Sequence, residues 1–195
     1  NNTQLTCVPS QDTAHSLQAL GVNCPIAVVG RGVDVECFHP QYASAQLRRR
    51  WGADDQTTVL LYVGRLSPEK EVDVIIQAYI ALQKSNQQKT LLVIVGDGPE
   101  ATKLKHLSAQ NKVIFTGSLS GTRLSEAYAS ADIFVFASQV ETFGNVVLEA
   151  MASGLAVVAY DRACAHQYVK HQQSGWLCAV GDATSFVRQI QQLPQ

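Results

Sequence analysis

The stretch TVLLYVGRLSPEKEVDVII, residues 58–76, joins an apolar run to a segment of helical period through a loop with glycine and proline. A nearly continuous apolar run, unlike an alternating one, predicts a strand that is covered on both faces. Helical segments begin at Val72, Ala101 and Thr122. This alternation predicts an α/β fold with a doubly wound, parallel, Rossmann-like sheet. The other predicted strands are IAVV at 26–29, LLVIV at 91–95, VIFT at 113–116, DIFVFA at 132–137 and LAVVAY at 155–160.

The charge composition bears on whether the protein binds nucleic acid or an anionic membrane. The 195 residues include 15 Lys and Arg against 16 Asp and Glu, which gives a formal net charge of −1. A chain without excess positive charge has no general attraction for nucleic acid or for an anionic membrane surface. We therefore expect no nucleic-acid partner, and any anion must be bound by local groups.

Location and redox state are also predicted from the sequence. The apolar runs are far shorter than the roughly 20 residues that span a bilayer, and the N-terminus lacks the layout of a signal peptide. The five cysteines lack C-x-x-C spacing and favour reduced thiols, and the five histidines show no metal pattern. We expect a cytoplasmic protein without a transmembrane segment or a metal site. Peripheral association of the full-length protein with the inner membrane face remains open.

Two cations follow the strand in the opening stretch. Arg65 and Lys70 lie in the loop between Gly64, where the strand ends, and the helix from Val72. The carboxyl edge of an open parallel sheet binds small ligands, and a helix start offers unpaired N–H groups to an anion. Two cations beside a helix start can hold a diphosphate. A solvated, charged turn is the alternative interpretation.

The segment VGDGPEA, residues 95–101, contains G-x-G-x-x-A between a predicted strand and a predicted helix. The dinucleotide-binding fingerprint also requires an acidic residue about 20 positions later. The corresponding strand ends in VIFTGSL, residues 113–119, without a carboxylate. We therefore expect no nicotinamide or flavin cofactor, and a tight turn near a nucleotide base remains an open interpretation.

Two glutamates, Glu141 and Glu149, lie eight positions apart in ETFGNVVLEAMASG, residues 141–154. Glu141 follows a predicted strand, and Gly144 precedes a helix that is predicted to begin near Asn145. Glu149 then lies about 6 Å along the helix axis from its start. A carboxylate among small apolar residues needs hydrogen-bonding partners, and it can accept two hydrogen bonds from a vicinal diol. The pair indicates two contacts with one polyhydroxylated ligand, and a solvated helix face is the alternative.

Four motifs occur together in this chain: VGRLSPEK at 63–70, IVGDGPE at 94–100, FTGSL at 115–119 and ETFGNVVLEAMASGLAVVA at 141–159. The set resembles the motifs of family-four retaining glycosyltransferases of the GT-B class, over residues 24–180. It is similar in particular to the branch with plant-type sulfoquinovosyl- and bacterial lipid glycosyltransferases. The segment 160–165 departs from the family, which has a Gly-Gly turn and a Pro-Glu pair there, so we assign no site residue in it.

The resemblance implies two Rossmann-like domains that face each other across a cleft, with this chain as the C-terminal half. Residues 1–24 would be a remnant of the preceding acceptor domain, and residues 25–40 the interdomain connector. Residues 41–195 would be the nucleotide-sugar-binding domain. The other domain would bind the acceptor, a lipid or a glycan, so we expect the isolated chain to be inactive.

The resemblance also implies a role for each matching residue. Arg65 and Lys70 would hold the diphosphate and Glu141 the donor sugar, and these three residues form the predicted catalytic set. Glu149 would bind the ribose hydroxyls. The rest of the predicted donor-binding set is Gly64 at the end of its strand, Gly117 and Ser118 at the base, Phe143 and Gly144 at the sugar, and Asn145 and Val146 at the distal phosphate.

The implied reaction is transfer of a hexosyl group from a UDP- or GDP-linked sugar to a hydroxyl acceptor, with retention of the α configuration. Fixed cations would stabilise the charge that develops on the departing nucleoside diphosphate. No metal or cofactor is expected, because the sequence contains no Asp-x-Asp cluster. A nucleotide-sugar epimerase and a non-catalytic nucleotide-binding module remain as alternatives. The sequence does not predict the base, the sugar, the acceptor or the oligomeric state.

Overall fold

The computed structural model describes residues 3–84 and 89–191, and within these ranges a six-stranded parallel sheet forms the centre of the fold. The strands are β1 (Thr6–Val8), β2 (Ile26–Val28), β3 (Thr58–Val63), β4 (Thr90–Val95), β5 (Val113–Gly117), β6 (Ile133–Phe136), β7 (Ala156–Tyr160) and β8 (Gly175–Cys178). The α-helices are α1 (Gln11–Ala19), α2 (Ala45–Trp51), α3 (Val72–Lys84), α4 (Ala101–Leu107), α5 (Thr122–Ala129), α6 (Asn145–Ala152), α7 (Ala163–Tyr168) and α8 (Ala183–Gln191). Short 3-10 helices lie at Pro40–Tyr42 and Pro68–Lys70.

The strand order across the central sheet is β5-β4-β3-β6-β7-β8. The chain winds outward in one direction from β3 and in the other direction from β6, so the order reverses between these two strands. Open α/β sheets bind ligands in the crevice beside such a reversal, at the carboxyl ends of the strands. The predicted doubly wound α/β fold is confirmed, and its topology selects the loops after β3 and β6 as the place for a ligand.

Burial of the middle strands explains their composition. Val59, Leu60, Leu61 and Tyr62 of β3 are 0% exposed, because helices cover both faces of the sheet. Each such side chain contributes about 1.5–3 kcal/mol when it leaves water. The apolar face of α3 packs on the sheet and against α8. The rigid core therefore fixes the ends of the strands from which the site loops depart.

The stretch IAVV, residues 26–29, does not join the central sheet, and its assignment to a strand buried on both faces is wrong. Ile26–Val28 pairs in parallel with Thr6–Val8 in a separate sheet and is only half-buried. Four apolar residues suit either environment, and only the tertiary pairing decides between them. The predicted boundary at residue 24 falls between two strands that pair, so that division stays a prediction. Residues 1–2, 85–88 and 192–195 of the predicted domains lie outside the described residues.

The N-terminal segment is tied to the ligand edge of the central sheet. Ser10 caps α1 through the Thr13 N–H at 3.3 Å. The hydroxyls of Ser10 and Thr13 also donate to the Thr142 carbonyl, at 3.5 and 3.4 Å. The Asp12 carboxylate accepts the Ala163 N–H at 2.9 Å. These contacts hold α1 against the loop that follows β6 and against the start of α7, which follows β7.

Candidate nucleotide-sugar site

A cleft of about 530 Å³ opens beside the reversal of strand order, at the carboxyl ends of β3 and β6. It brings together all three residues of the predicted catalytic set and five of the predicted donor-binding residues. Gly117, Ser118 and Glu149 do not line it. The lining consists of Arg31, Val63, Gly64, Arg65, Lys70, Phe136, Glu141, Thr142, Phe143, Gly144, Asn145 and Val146. The placement agrees with the predicted site, and the individual roles stay predictions.

The loop that carries Arg65 is braced by its own strand and by the next one. The Tyr62 hydroxyl donates to the Arg65 carbonyl at 2.9 Å. The Leu66 N–H donates to the Asp97 carbonyl at 2.9 Å, and the Glu100 N–H donates to the Leu66 carbonyl at 3.0 Å. These bonds fix the backbone on both sides of Arg65 and leave its exposed side chain in the cleft.

The glycines of VGDGPEA allow the loop after β4 to pack closely against the loop that carries Arg65. A Cβ atom at Gly96 would lie 1.9 Å from the Gly64 carbonyl oxygen, and one at Gly98 would lie 2.3 Å from the Leu66 carbonyl oxygen. Only glycine permits so close an approach of two backbones. The motif therefore packs the loop after β4 against the loop that positions Arg65.

Lys70 and Glu141 form an ion pair across the reversal of strand order. Lys70 lies at the end of the 3-10 helix after β3, and Glu141 lies in the loop after β6. Lys70 Nζ is also 3.4 Å from the Val140 carbonyl oxygen and 5.8 Å from the centre of the Phe136 ring. The two charged side chains are only 17% and 15% exposed, so solvent screens their interaction incompletely. The pair places a cation and a carboxylate on the same wall of the cleft.

The start of α6 faces the cleft. Gly144 has φ of +89°, a left-handed conformation that favours glycine, and it turns the chain into the helix. The first N–H groups of a helix lack partners within it, and the helix dipole makes this end attractive to an anion. Asn145 and Val146, the first two residues of α6, line the cleft. The helix therefore offers backbone donors beside Lys70 and Glu141.

Glu149 lies further along α6, where its carboxylate is half-buried. The Tyr128 hydroxyl donates to Glu149 Oε2 at 2.8 Å. Burial raises the pKa of Glu149 above its ordinary value of 4.5, and the Tyr128 hydrogen bond partly offsets this. Burial also raises the pKa of Tyr128 well above 10, so its hydroxyl stays a donor at neutral pH. Sequence reasoning missed Tyr128, because the helical pattern TRLSEAYASA shows an inward tyrosine but not its partner.

Gly117 and Ser118 lie at the end of β5, two strands away from β3. The Gly117 carbonyl accepts the Gly96 N–H at 2.9 Å, and the Val95 carbonyl accepts the Gly64 N–H at 3.0 Å. The ends of these strands thus form one continuous edge from the cleft to Ser118, which is exposed. Their role at the base stays a prediction.

The segment 160–165, which departs from the family motif, supports the site from behind. The Cys164 N–H donates to the Phe143 carbonyl at 2.9 Å. Ala163 adopts φ of +46°, a conformation that the Gly-Gly turn expected from the resemblance would adopt more easily. The Tyr160 hydroxyl donates to Glu71 Oε2 at 2.8 Å and so joins β7 to the start of α3. Although segment 160–165 departs from the family motif, its Cys164 N–H still supports the loop that contains Phe143.

Arg31 is a second residue that sequence reasoning missed. It lies in the predicted connector, yet its side chain lines the cleft with Arg65, Lys70 and Glu141. No local pattern marks it, since it precedes Arg65 by 34 positions and belongs to no predicted strand or helix of the sheet.

Residues 3–84 and 89–191 contain neither a helix that could span a membrane nor a cluster of metal ligands. None of the helices in these ranges has the length and apolar character needed to cross a bilayer. In the same ranges, no group of three or more His, Cys, Asp or Glu residues is arranged to hold a metal ion. Cytoplasmic location stays a prediction.

The sequence also matches known proteins. The family model for glycosyl transferases group 1 matches residues 43–194. A GDP-mannose-dependent alpha-mannosyltransferase of Mycobacterium tuberculosis is 41% identical over 177 residues, which cover 91% of this chain and 44% of that protein. Sulfoquinovosyl transferase SQD2 of Arabidopsis thaliana is 34% identical, with 97% of this chain and 37% of that protein covered. This chain thus spans less than half the length of either relative.

A solved structure agrees with these matches. The crystal structure of Anabaena Alr3699/HepE in complex with UDP and glucose superposes with a TM-score of 0.84 at 25% identity. The superposition covers 97% of this chain and 53% of the Anabaena chain. Sequence and fold lead to the same assignment: this chain belongs to the group 1 glycosyl transferases, a family with the GT-B fold.

Proposed function

We propose that this chain is the donor-binding half of a family-four, retaining glycosyltransferase that acts without a metal ion or cofactor. The donor is a UDP- or GDP-linked hexose, and the acceptor is a hydroxyl group. The proposal rests on one observation above all: Arg65, Lys70 and Glu141 come from loops on either side of the reversal of strand order and meet in one cleft. A relative named as GDP-mannose-dependent and a similar structure that holds UDP and glucose support a nucleotide sugar as donor.

Charge stabilisation is the proposed catalytic role of the cleft. When the bond between the sugar and the phosphate breaks, negative charge grows on the nucleoside diphosphate. The Arg65 guanidinium, the Lys70 ammonium and the first N–H groups of α6 are fixed beside that charge and stabilise it. Removal of one such fixed donor lowers turnover by about 10²–10³-fold in comparable sites.

The Lys70–Glu141 ion pair has a specific part in this scheme. A donor diphosphate competes with Glu141 for the Lys70 ammonium, because both are anions within its reach. Once Lys70 turns to the phosphate, the Glu141 carboxylate accepts hydrogen bonds from the donor sugar. Phosphate binding and sugar binding are thereby coupled through one side-chain contact.

The ribose end of the donor is assigned to Glu149. Tyr128 donates to one oxygen of this carboxylate and leaves the other oxygen to accept from the ribose hydroxyls. The base then extends along the strand edge toward Gly117 and Ser118. In this arrangement the hexose lies over Glu141, where Phe143 and Gly144 offer backbone N–H groups.

The acceptor, a lipid or a glycan, is assigned to the part of the full-length protein that faces this cleft. Attack on the same face that the leaving phosphate vacates gives retention of configuration. The names of the relatives favour transfer over an epimerase or a module without catalysis.

The transfer reaction is tested with the full-length protein, GDP-mannose or UDP-glucose, and candidate hydroxyl acceptors. NMR of the product should show the α-linked sugar, and EDTA should leave the rate unchanged. A β-linked product would contradict retention, and loss of rate with EDTA would contradict metal independence. Conversion of the sugar nucleotide without acceptor would identify an epimerase.

Donor binding is tested with this chain alone in a thermal-shift panel of UDP, GDP and ADP sugars. A bound donor at about 100 times its Kd stabilises the native state by about 2.7 kcal/mol. A panel without any shift would contradict the donor-binding assignment.

A further inference from the structure

Arg31 reaches the cleft from a different part of the chain than the other cations. Arg65 and Lys70 follow β3, whereas Arg31 follows β2 in the N-terminal segment. Arg31 is exposed, and among residues 25–40 of the predicted connector, all of them described, it alone lines the cleft. The site thus receives positive charge from a segment outside the central sheet.

The backbone on both sides of Arg31 is held in place. Before it, the Val29 N–H donates to the Val8 carbonyl at 2.8 Å and extends the pairing of β1 with β2. After it, the Asp34 carboxylate accepts the N–H groups of Glu36 and Cys37 at 2.9 and 3.1 Å and closes a turn. Hydrogen bonds therefore anchor the backbone two residues before Arg31 and three residues after it.

The charges of the cleft match a diphosphate only when Arg31 is included. The ionisable residues of its lining are Arg31, Arg65, Lys70 and Glu141, which give a formal charge of two positive. Without Arg31 the same lining would have a formal charge of one positive. The diphosphate of a sugar nucleotide has two phosphate groups, joined by an anhydride bond and each esterified once, and each carries one negative charge.

The three cations of the cleft differ in how closely they interact with carboxylates. Lys70 is paired with Glu141. Arg65 lies close enough to Glu69 to contribute to the lowered pKa of that carboxyl, whose main cause is a hydrogen bond from Ser67. Within the described ranges 3–84 and 89–191, neither Arg31 nor Arg65 forms an ion pair within 4 Å, and Arg31 also has no carboxylate in its own segment of the cleft lining. Its charge is available to a ligand.

We propose that Arg31 binds the diphosphate of the donor and is the third cation of the site. The inference rests on the proposed function and adds to it a ligand contact from the predicted connector. Because Arg31 belongs to that connector, donor binding also ties the N-terminal segment to the central sheet. In this proposal Arg31 contacts the phosphates of the donor and makes no contact with its nucleoside.

The test uses calorimetric titration of this chain with GDP-mannose and with UDP-glucose, and competition with the matching nucleoside. The variants are Arg31→Gln and Arg31→Lys. Arg50→Gln is the matched control, because Arg50 is an exposed arginine at the end of α2 and does not line the cleft. Thermal melts of every variant verify that the fold is retained.

Arg31→Gln should weaken binding of the sugar nucleotide about tenfold, the loss expected for one charge-assisted hydrogen bond. The nucleoside should bind as before, Arg31→Lys should keep most of the affinity, and Arg50→Gln should match the parent. Added salt should weaken the parent more than Arg31→Gln, because the parent site holds one more exposed charge.

Three results would overturn the inference. Equal affinity of Arg31→Gln and the parent for the sugar nucleotide would remove Arg31 from the site and leave the proposed function intact. An equal loss for sugar nucleotide and nucleoside would show that Arg31 acts elsewhere than on the phosphates. Failure of the parent to bind either sugar nucleotide would refute the proposed function, and the role of Arg31 with it.

Discussion

The Tyr128 hydroxyl donates to Glu149 Oε2 at 2.8 Å and so holds the carboxylate that we assign to the ribose. Tyr128 is 0% exposed, and its ring packs edge-on against Phe38 at 5.5 Å between centroids. On another side its ring lies 5.9 Å from that of Phe134. Because the Tyr128 side chain is enclosed in this way, its hydroxyl is shielded from solvent and donates to Glu149 Oε2. This bond occupies one carboxylate oxygen and fixes the orientation of the other.

Tyr128→Phe tests this contact, because it removes the hydroxyl and retains the ring. We expect binding of the sugar nucleotide to weaken by about 0.5–1.5 kcal/mol, the net value of one hydrogen bond. The measurement compares a ribose nucleotide with its 2′,3′-dideoxy analogue by calorimetry. The parent should prefer the ribose form more strongly than the variant does, and an equal loss for both ligands would count against the ribose assignment.

The raised pKa of Glu149 predicts a pH dependence of donor binding. The ionised carboxylate is the better acceptor for ribose hydroxyls, so affinity should increase as the pH rises from 4.5 through the raised pKa of Glu149. Glu149→Gln should remove this dependence and weaken binding by about 1–3 kcal/mol. A variant with the affinity and pH profile of the parent would show that Glu149 does not bind the donor.

The same raised pKa predicts a pH dependence of stability. The folded state holds the Glu149 proton more tightly than the unfolded state does. The resulting stabilisation is therefore present below pH 4.5 and is lost as the pH rises through the folded pKa. Urea unfolding across this range should show that loss in the parent and a smaller loss in Glu149→Gln. Stability of the parent that increased relative to the variant over this range would contradict the assignment.

The Lys70–Glu141 pair predicts non-additive effects on stability. Lys70→Met leaves the 15%-exposed Glu141 side chain without its partner, so the free energy of unfolding should fall by about 1–3 kcal/mol. The double variant Lys70→Met/Glu141→Gln should recover part of this loss, because no unpaired charge remains. Urea unfolding of both single variants and the double variant completes the cycle. Strictly additive losses would mean that the two side chains do not interact.

Gly96 predicts a link between backbone packing and donor binding. In Gly96→Ala the new methyl group would lie 1.9 Å from the Gly64 carbonyl oxygen, so the loop that carries Arg65 must move. We expect a loss of about 1–3 kcal/mol in stability and weaker donor binding. Gly32→Ala is the matched control for stability, since a Cβ there meets nothing within 4 Å. Parent-like binding by Gly96→Ala would show that Arg65 does not depend on this contact.

The sequence was sufficient where local patterns set the structure. Continuous apolar runs such as 58–63 and 91–95 form the predicted buried strands, because only a sheet with two covered faces requires them. The meeting of Arg65 and Glu141 in one cleft also followed, since parallel strands place their loops on one edge. Both results depend on a local sequence pattern, an apolar strand followed by a loop and a helix, that repeats along the chain.

Contacts between distant segments were not predictable in this way. Arg31 reaches the cleft because β1 pairs with β2 and Asp34 closes a turn, and neither contact leaves a periodic pattern in the sequence. Tyr128 lies on α5 and Glu149 on α6, so their hydrogen bond depends on how these two helices pack against each other. Residues of this kind become visible only when the tertiary structure is known.

The most direct test of the donor site is a crystal structure of this chain with GDP-mannose or UDP-glucose bound. The diphosphate should lie within hydrogen-bonding distance of Arg65 and Lys70, with the ribose hydroxyls on Glu149. A donor bound instead in the separate hollow lined by Asp12, His15 and His166, or a cleft beside β3 and β6 that takes up no donor, would contradict the account.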